Sequence, residues 1–541
     1  MSNKKHPKGL YFLFFTEMWE RFGYYLMIAI FFLYLKREWG MDSKDASGIY
    51  GTYIALVFLT PFVGGLIADR KIGYIKSVVI GGILMGIGYC LMAVHNLTVF
   101  YIACGITIIG NGFFKPNIST LLGNLYDDEK YKKNKDSGYN IFYMGINVGA
   151  FICTFVAAAA RNIFGWGGAF CAAGIGMFLG VIIFLIGIKH YRHADILKPL
   201  KDGDKSLGFI FSTTLLPALG AAVIGWLMPG NIFGNDANDA FIFACIPVVI
   251  FYGSLYFKAD IQEKRPLKVM YLIFIVSVMF WAVFKQNGTA LTTWMDSYTN
   301  RNLPVAIMPT AKSLYQIDTI KMTEKVRPLL DEQFRTIRVN KDSVMNYLDY
   351  PSYFKNLDCD KIPKKNGEIY TLPTELSQSI NPGWVILLTP VVVGFFAMLR
   401  RKGKEPTTPS KMALGLFISA LSPLVMVWAV YYCNNGMDKA SLWWLIGTYG
   451  VITVGELCLS PMGLSLVSKI SPPRLTALMM GGWFLSTSIG NKFSGILAAT
   501  WDNYDNKALY FLVNTILLLF AFAIMLLMLK GLNRVFKELT K

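Results

Sequence analysis

Glu17, Glu20 and Arg21 lie inside an apolar run, FTEMWERFGYYLMIAIFFLYL at residues 15–34. Their i, i+3 and i, i+4 spacing puts all three charges on one face of a helix. Other ionisable residues stand in similar surroundings: Lys115 in GNGFFKPNIST, Lys285 in FWAVFKQNGTAL and Glu456 in VGELCLSPMGLSL. A charge at the centre of a bilayer costs about 2.5–3.5 kcal/mol on insertion scales. Six such charges spread over four apolar stretches mark a substrate or proton pathway through an interior. The competing reading is a set of ion pairs that only fixes helix packing. Histidine is absent from the middle of every apolar stretch: His6, His190 and His193 fall in polar segments and His95 at a helix end. Protons crossing the interior would therefore ride on carboxylates, tuned by burial and charged neighbours. The same absence argues against a metal site and against serine-type hydrolysis. Tyr24, Tyr25, Asn147, Asn381 and Trp483 suit contacts to a small polar ligand, although each taken singly reads more readily as a packing residue.

The elements that must position these residues are membrane helices. The chain has 541 residues, 54% hydrophobic and 16% charged, against about 25% charged in a soluble protein. Apolar stretches of roughly 20 residues recur along almost its whole length. Spans are predicted near 10–35, 48–68, 75–95, 98–122, 138–160, 167–189, 208–229, 239–257, 268–290, 380–400, 411–433, 441–468, 476–499 and 508–530. The basic start MSNKKHPKGL runs into the first span without a small-residue cleavage site, so a retained helix is expected there. Short basic connections such as DRKIGYIK, DDEKYKKNKD and LRRKGKEPTTPSK fall on one side, which the positive-inside rule makes cytoplasmic together with both ends. They account for most of the net charge of +18, and anionic lipid headgroups, not nucleic acid, are their expected partners. Residues 297–379 break the pattern as a polar insert on the outer side. Helical spacing in TIKMTEKVRPLLDEQFRTIR predicts a partly helical appendage. The eight cysteines give no disulfide framework, and Cys359 with Cys433 is the one pair outside the membrane that a bond could join.

In this order, these residues resemble the proton-dependent oligopeptide transporter family of the major facilitator superfamily, bacterial type. EMWERF is similar to the family's E-x-x-E-R motif, and GGLIADRKIG at 64–73 to the superfamily's loop motif, where Asp69 and Arg70 would be gating charges. FYMGINVGA at 142–150 resembles the fifth-helix signature, and EPTTPSK and GELCLSPMGLSLVSKISPPR resemble the C-terminal half. The resemblance covers almost everything except the 297–379 insert. It implies an all-α membrane protein: a six-helix bundle over 1–190, an inserted transmembrane hairpin over 191–262 and a second bundle over 263–541. It further implies a monomeric symporter of the bacterial inner membrane that imports di- and tripeptides with protons by alternating access, and that uses no cofactor. Glu456 with Asn147 and Asn381 would face the peptide ammonium, and Lys115 with Tyr24 and Tyr25 its carboxylate; Trp483 would also touch substrate. Glu17, Glu20 and Arg21 would relay protons and bias Lys115. Alternatives within the resemblance are another peptide-like or amino-acid-derived solute, or a sensor that binds peptides without moving them.

The sequence also departs from the family pattern. Leu26 and Ile28 stand where the first helix usually carries Gly and Arg, Lys285 stands where the seventh helix usually carries an acid, and Phe58 replaces a common tyrosine. The loss of the arginine and the gain of Lys285 read as one relocation of a cation, with Lys285 joining Lys115 opposite a peptide carboxylate.

Overall fold

The computed structural model describes residues 6–196, 207–230, 232–233, 236–321, 325–328, 338–340, 343–344, 346–349, 351–354, 357, 360, 368–471 and 476–539. The first bundle is built from α1 (Gly9–Arg37), α2 (Ser43–Ile67), α3 (Tyr74–Leu91), α4 (Leu97–Leu125) and α5 (Lys135–Gly187). Within α5, Gly165 adopts φ 72° and ψ −171°, a backbone open to glycine, and divides the fifth span from the sixth. The hairpin follows as α6 (Leu207–Ile210), a π turn, α7 (Leu216–Leu227) and α8 (Asp236–Phe257). The second bundle begins with α9 (Ile261–Phe284), a 3₁₀ turn at Lys285–Gly288 and α10 (Ala290–Ser297). After the insert, with its short α11 (Met308–Ser313), come α12 (Ile380–Arg401), α13 (Thr408–Tyr432), α14 (Leu442–Ile470), α15 (Thr476–Ala499) and α16 (Lys507–Leu539). Each of the fourteen predicted spans thus has a helical counterpart. Ten helical stretches among the described residues are long and apolar enough to cross a membrane; charge-bearing α1 is not among them.

Local chemistry sets several of the helix starts. The side chains of Asp42, Asn96, Thr407 and Ser441 accept hydrogen bonds from the first-turn amides of α2, α4, α13 and α14. Lateral packing then gives each bundle its own core. α1 lies along α5, and α3 along α4, around Phe31, Tyr53, Met85, Phe100 and Phe114. α13 lies against α14 and α16, and α9 against α15, around Met270, Phe280, Leu416, Ile452 and Met525.

The insert differs from the sequence expectation. In the stretch read as helical, 319–338, the described residues are strands: β1 (Asp318–Lys321), which begins one residue before it, and β2 (Lys325–Pro328) pair antiparallel with β6 (Glu368–Thr371) and β5 (Asn346–Asp349), while 322–324 and 329–337 lie outside the described residues. A third pair joins β3 (Arg338–Asn340) to β4 (Ser343–Val344). Thr319, Ile320 and Val326 are β-branched and favour a pleated surface. Their apolar spacing is short enough to fit either period. Cys359 lies outside the described residues, and Cys433 is buried with its thiol near the Val430 carbonyl.

The root of the insert locks the two bundles together. Arg37, at the end of α1, reaches Asp296 in α10, Asp318 in β1 and the Thr374 hydroxyl. Arg161 in α5 holds Asp318 and, at 2.5 Å, Glu375. Arg301 lies 3.4 Å from Asp296 and 4.0 Å from Asp318. Nearby, Asn162 Nδ2 donates to the Tyr315 and Ile317 carbonyls at 2.8 and 2.9 Å. α15 meets α2 on the same flank: Ser488 Oγ donates to the Ala55 carbonyl at 2.7 Å, and Lys492 Nζ to Thr52 Oγ1 at 2.5 Å. Burial works to raise the Asp318 carboxyl, but Arg161, Arg37 and Arg301 together hold it below its usual value. Its stabilising contribution is therefore complete above the ordinary carboxylate range and fades only as pH falls below it.

Removing one partner from a buried ion network leaves the others uncompensated. Asp318→Asn is expected to destabilise the detergent-purified protein by about 3–5 kcal/mol at neutral pH, read as a lowered thermal midpoint. The same linkage applies to a Gly/Ser linker in place of 305–370, which also removes Asp318. An unchanged midpoint in both variants would show that the network does not hold the bundles.

Candidate functional site

The charged face of α1 points into the first bundle. Arg21 bonds Glu20 through two nitrogens, Nε to Oε2 and Nη2 to Oε1, the latter at 2.9 Å. Its Nε also lies 3.2 Å from Glu17 Oε1, and its guanidinium covers the Tyr24 ring at 5.3 Å. All three charged residues are buried. The triad is one cation against two carboxylates, and Glu17 Oε2 is buried with no hydrogen-bond partner. A bare buried acceptor is costly, and a proton delivered there relieves the cost.

Two further cations meet at one aromatic ring. Lys115 Nζ lies 3.9 Å from the ring centre of Phe58, and Lys285 Nζ lies 5.4 Å from it. Lys285 also faces Trp281 and Phe284 at 5.5 and 5.7 Å. Among the described residues neither ammonium is in salt-bridge contact with a carboxylate; both lie over aromatic rings, Lys115 in the field of Glu17 and Glu20 and Lys285 in that of Glu456. Lys285 stands where α9 gives way to the 3₁₀ turn. That turn packs against α2 through Gly288, where an added Cβ would sit 1.8 Å from the Tyr50 hydroxyl oxygen. Glu456, on α14, accepts from Asn381 Nδ2 at 3.2 Å, and the same amide donates to Thr453 Oγ1 at 2.9 Å. The site thus combines a closed triad, two unpaired ammoniums and one carboxylate with a single amide donor.

The remaining predicted residues are placed less uniformly. Tyr24 and Tyr25 stack edge to face one turn beyond Arg21, Tyr24 buried and Tyr25 half-buried. Asn147 is half-buried and donates to the Tyr143 carbonyl at 3.0 Å. The Trp483 ring is buried in the second-bundle core, against Gly463. Its bulk and apolar surface are satisfied by packing there. Asp69 sits in a π turn at Ala68–Ile72 and accepts from the Tyr74 hydroxyl at 2.6 Å. The Arg70 side chain lies outside the described residues.

Two groups were missed by sequence reasoning. Arg37, Arg161 and Asp296 read as ordinary charges near span ends and Arg301, Asp318 and Glu375 as charges of the polar insert, and most of their partners are too distant in sequence to signal the network. Lys492 is a buried ion within α15 and was visible as such in GNKFSG. Gln286 also gains a role: it accepts from Tyr510 at 2.5 Å and donates to Asn514 at 2.9 Å, anchoring the turn that carries Lys285.

Comparison with known proteins converges on one group. The POT family model matches residues 75–320 and 360–517. The uncharacterized transporter YclF of Bacillus subtilis (strain 168) is 28% identical over 518 residues, 94% of this chain and 90% of the relative. The Di-/tripeptide transporter of Lactococcus lactis subsp. cremoris is 28% identical, over 89% of this chain and 87% of the relative. The crystal structure of a peptide transporter POT in complex with sulfate superposes with a TM-score of 0.74 at 27% identity, covering 99% of this chain and 97% of that one.

The triad makes an asymmetric prediction about folding. Glu20→Gln keeps the Glu17–Arg21 pair and is expected to purify with a near-normal thermal midpoint. Arg21→Met leaves two adjacent buried carboxylates without a cation and should cost about 3–5 kcal/mol. Equal midpoints for the two variants would contradict the pairing described.

Proposed function

We propose, from the premise that the chain belongs to the POT family, that it imports di- and tripeptides together with protons. The observation that carries this reading is the pair of unpaired ammoniums, Lys115 and Lys285, in the same interior as the lightly bonded carboxylate of Glu456. A zwitterionic peptide supplies the missing partners: its carboxylate to the lysines, its ammonium to Glu456 with Asn381. The Glu17–Glu20–Arg21 triad supplies the proton site, with Glu17 Oε2 as its open acceptor. The similarity to a Di-/tripeptide transporter along most of both chains supports the substrate class.

The cycle follows from alternating access. The bundles are joined at the insert end, so a peptide released from this state leaves toward the opposite side. Protonation of the triad frees Lys115 from its nearby carboxylates to hold peptide, and proton release reverses that. On this reading the chain lies in the inner membrane with both ends cytoplasmic. It acts as a monomer surrounded by anionic lipid, with protons as coupling ion and no cofactor.

Uptake of labelled dialanine into proteoliposomes tests the reading. With an inward proton gradient the wild type should concentrate the peptide, and without one it should only equilibrate it. Glu20→Gln should lose concentration and keep exchange. Concentrative uptake that ignores the gradient, or survives in Glu20→Gln, would overturn the coupling.

A further inference from the structure

We infer that the site selects peptides with a second carboxylate, an acidic side chain, and that Lys285 is the residue that reads it. The inference rests on the peptide reading above and deepens it.

Charges in a space with little water must be matched. Arg21 is already closed by Glu17 and Glu20. When the triad has taken up its proton, it is neutral: one guanidinium, one carboxylate and one carboxylic acid. The charges left to face a ligand are then Lys115, Lys285 and Glu456, two positive and one negative. A peptide such as dialanine brings one of each sign. It satisfies one lysine and Glu456, and leaves the second ammonium over aromatic rings without a carboxylate of its own. A ligand with two carboxylates and one ammonium closes every charge.

The geometry allows both carboxylates to be met by one small ligand. Both ammoniums lie within 5.4 Å of the same Phe58 ring centre, and the termini and side chain of a dipeptide spread over comparable distances. Phe58 has no polar atom to compete for the ligand, so the ring faces both lysines without neutralising them. Lys285 sits at the helix-to-3₁₀ junction, and the turn behind it is tied to α16 through Gln286, Asn514 and Tyr510. Its backbone is therefore fixed while its long side chain can reach toward a ligand. Lys115, closer to the triad, keeps the terminal carboxylate. Lys285, on the opposite bundle, is left for the side-chain carboxylate.

The test compares alanyl-glutamate with its neutral counterpart alanyl-glutamine as competitors of labelled dialanine exchange in proteoliposomes. A charge-assisted hydrogen bond is worth about 1.5–3 kcal/mol, roughly ten- to hundredfold in affinity. Alanyl-glutamate should therefore compete at concentrations about tenfold lower than alanyl-glutamine in the wild type. The ratio should fall to about one in Lys285→Gln and persist in Lys285→Arg. Thermal-shift titration of the detergent-purified wild type with the same two peptides gives the ratio even if a variant fails to fold. Equal potency of the two peptides in the wild type, or a ratio that survives in Lys285→Gln, would overturn the inference while leaving peptide transport intact. Failure of dialanine and both competitors to exchange would overturn the peptide reading itself, and the inference with it.

Discussion

An ion in a medium of low dielectric must find a partner or a purpose, and that constraint organises this molecule. Two unit charges at about 4 Å interact by roughly 4 kcal/mol at an effective dielectric of 20, so misplacing one charge is expensive in both directions. The chain answers in two ways. At the insert end, three arginines and three acids are interlocked with few loose ends. In the interior, the triad on α1 is nearly closed, while Lys115, Lys285 and Glu456 are not. The first arrangement fastens; the second leaves vacancies that a proton and a zwitterion can fill.

The two arrangements are coupled by geometry. α1 carries the triad in its first half and Arg37 at its end, so one helix links the triad to the closure. α5 does the same on its flank through Arg161. Opening toward the insert side requires Arg37 and Arg161 to leave Asp296, Asp318 and Glu375. That step strands buried charges, so it cannot proceed without compensating interactions elsewhere. The insert thereby contributes to the closed state through β1, whereas its composition alone suggested only a partly helical appendage.

Much of the fold was legible because membrane helices announce themselves by length and apolarity. The fourteen spans, the charged face of α1 and the isolated charges at Lys115, Lys285 and Glu456 all follow from residue type and spacing. What could not be read was anything that depends on contact between distant segments. Arg37 and Asp318 are separated by most of the first bundle and the hairpin, and nothing local to either marks the other. The insert was misread because short amphipathic stretches fit both helical and strand periods. The approach of Lys115 and Lys285 to the one ring of Phe58 was likewise invisible, since it depends on contact between distant segments.

The central claim is that peptide and proton share one interior path. Proteoliposomes carrying a trapped pH-sensitive dye measure it directly when dialanine is added outside under an inside-negative potential and equal pH. The account predicts acidification of the lumen that begins with the peptide, depends on its concentration and vanishes in Glu20→Gln. A lumen whose pH stays constant while labelled dialanine accumulates would contradict it.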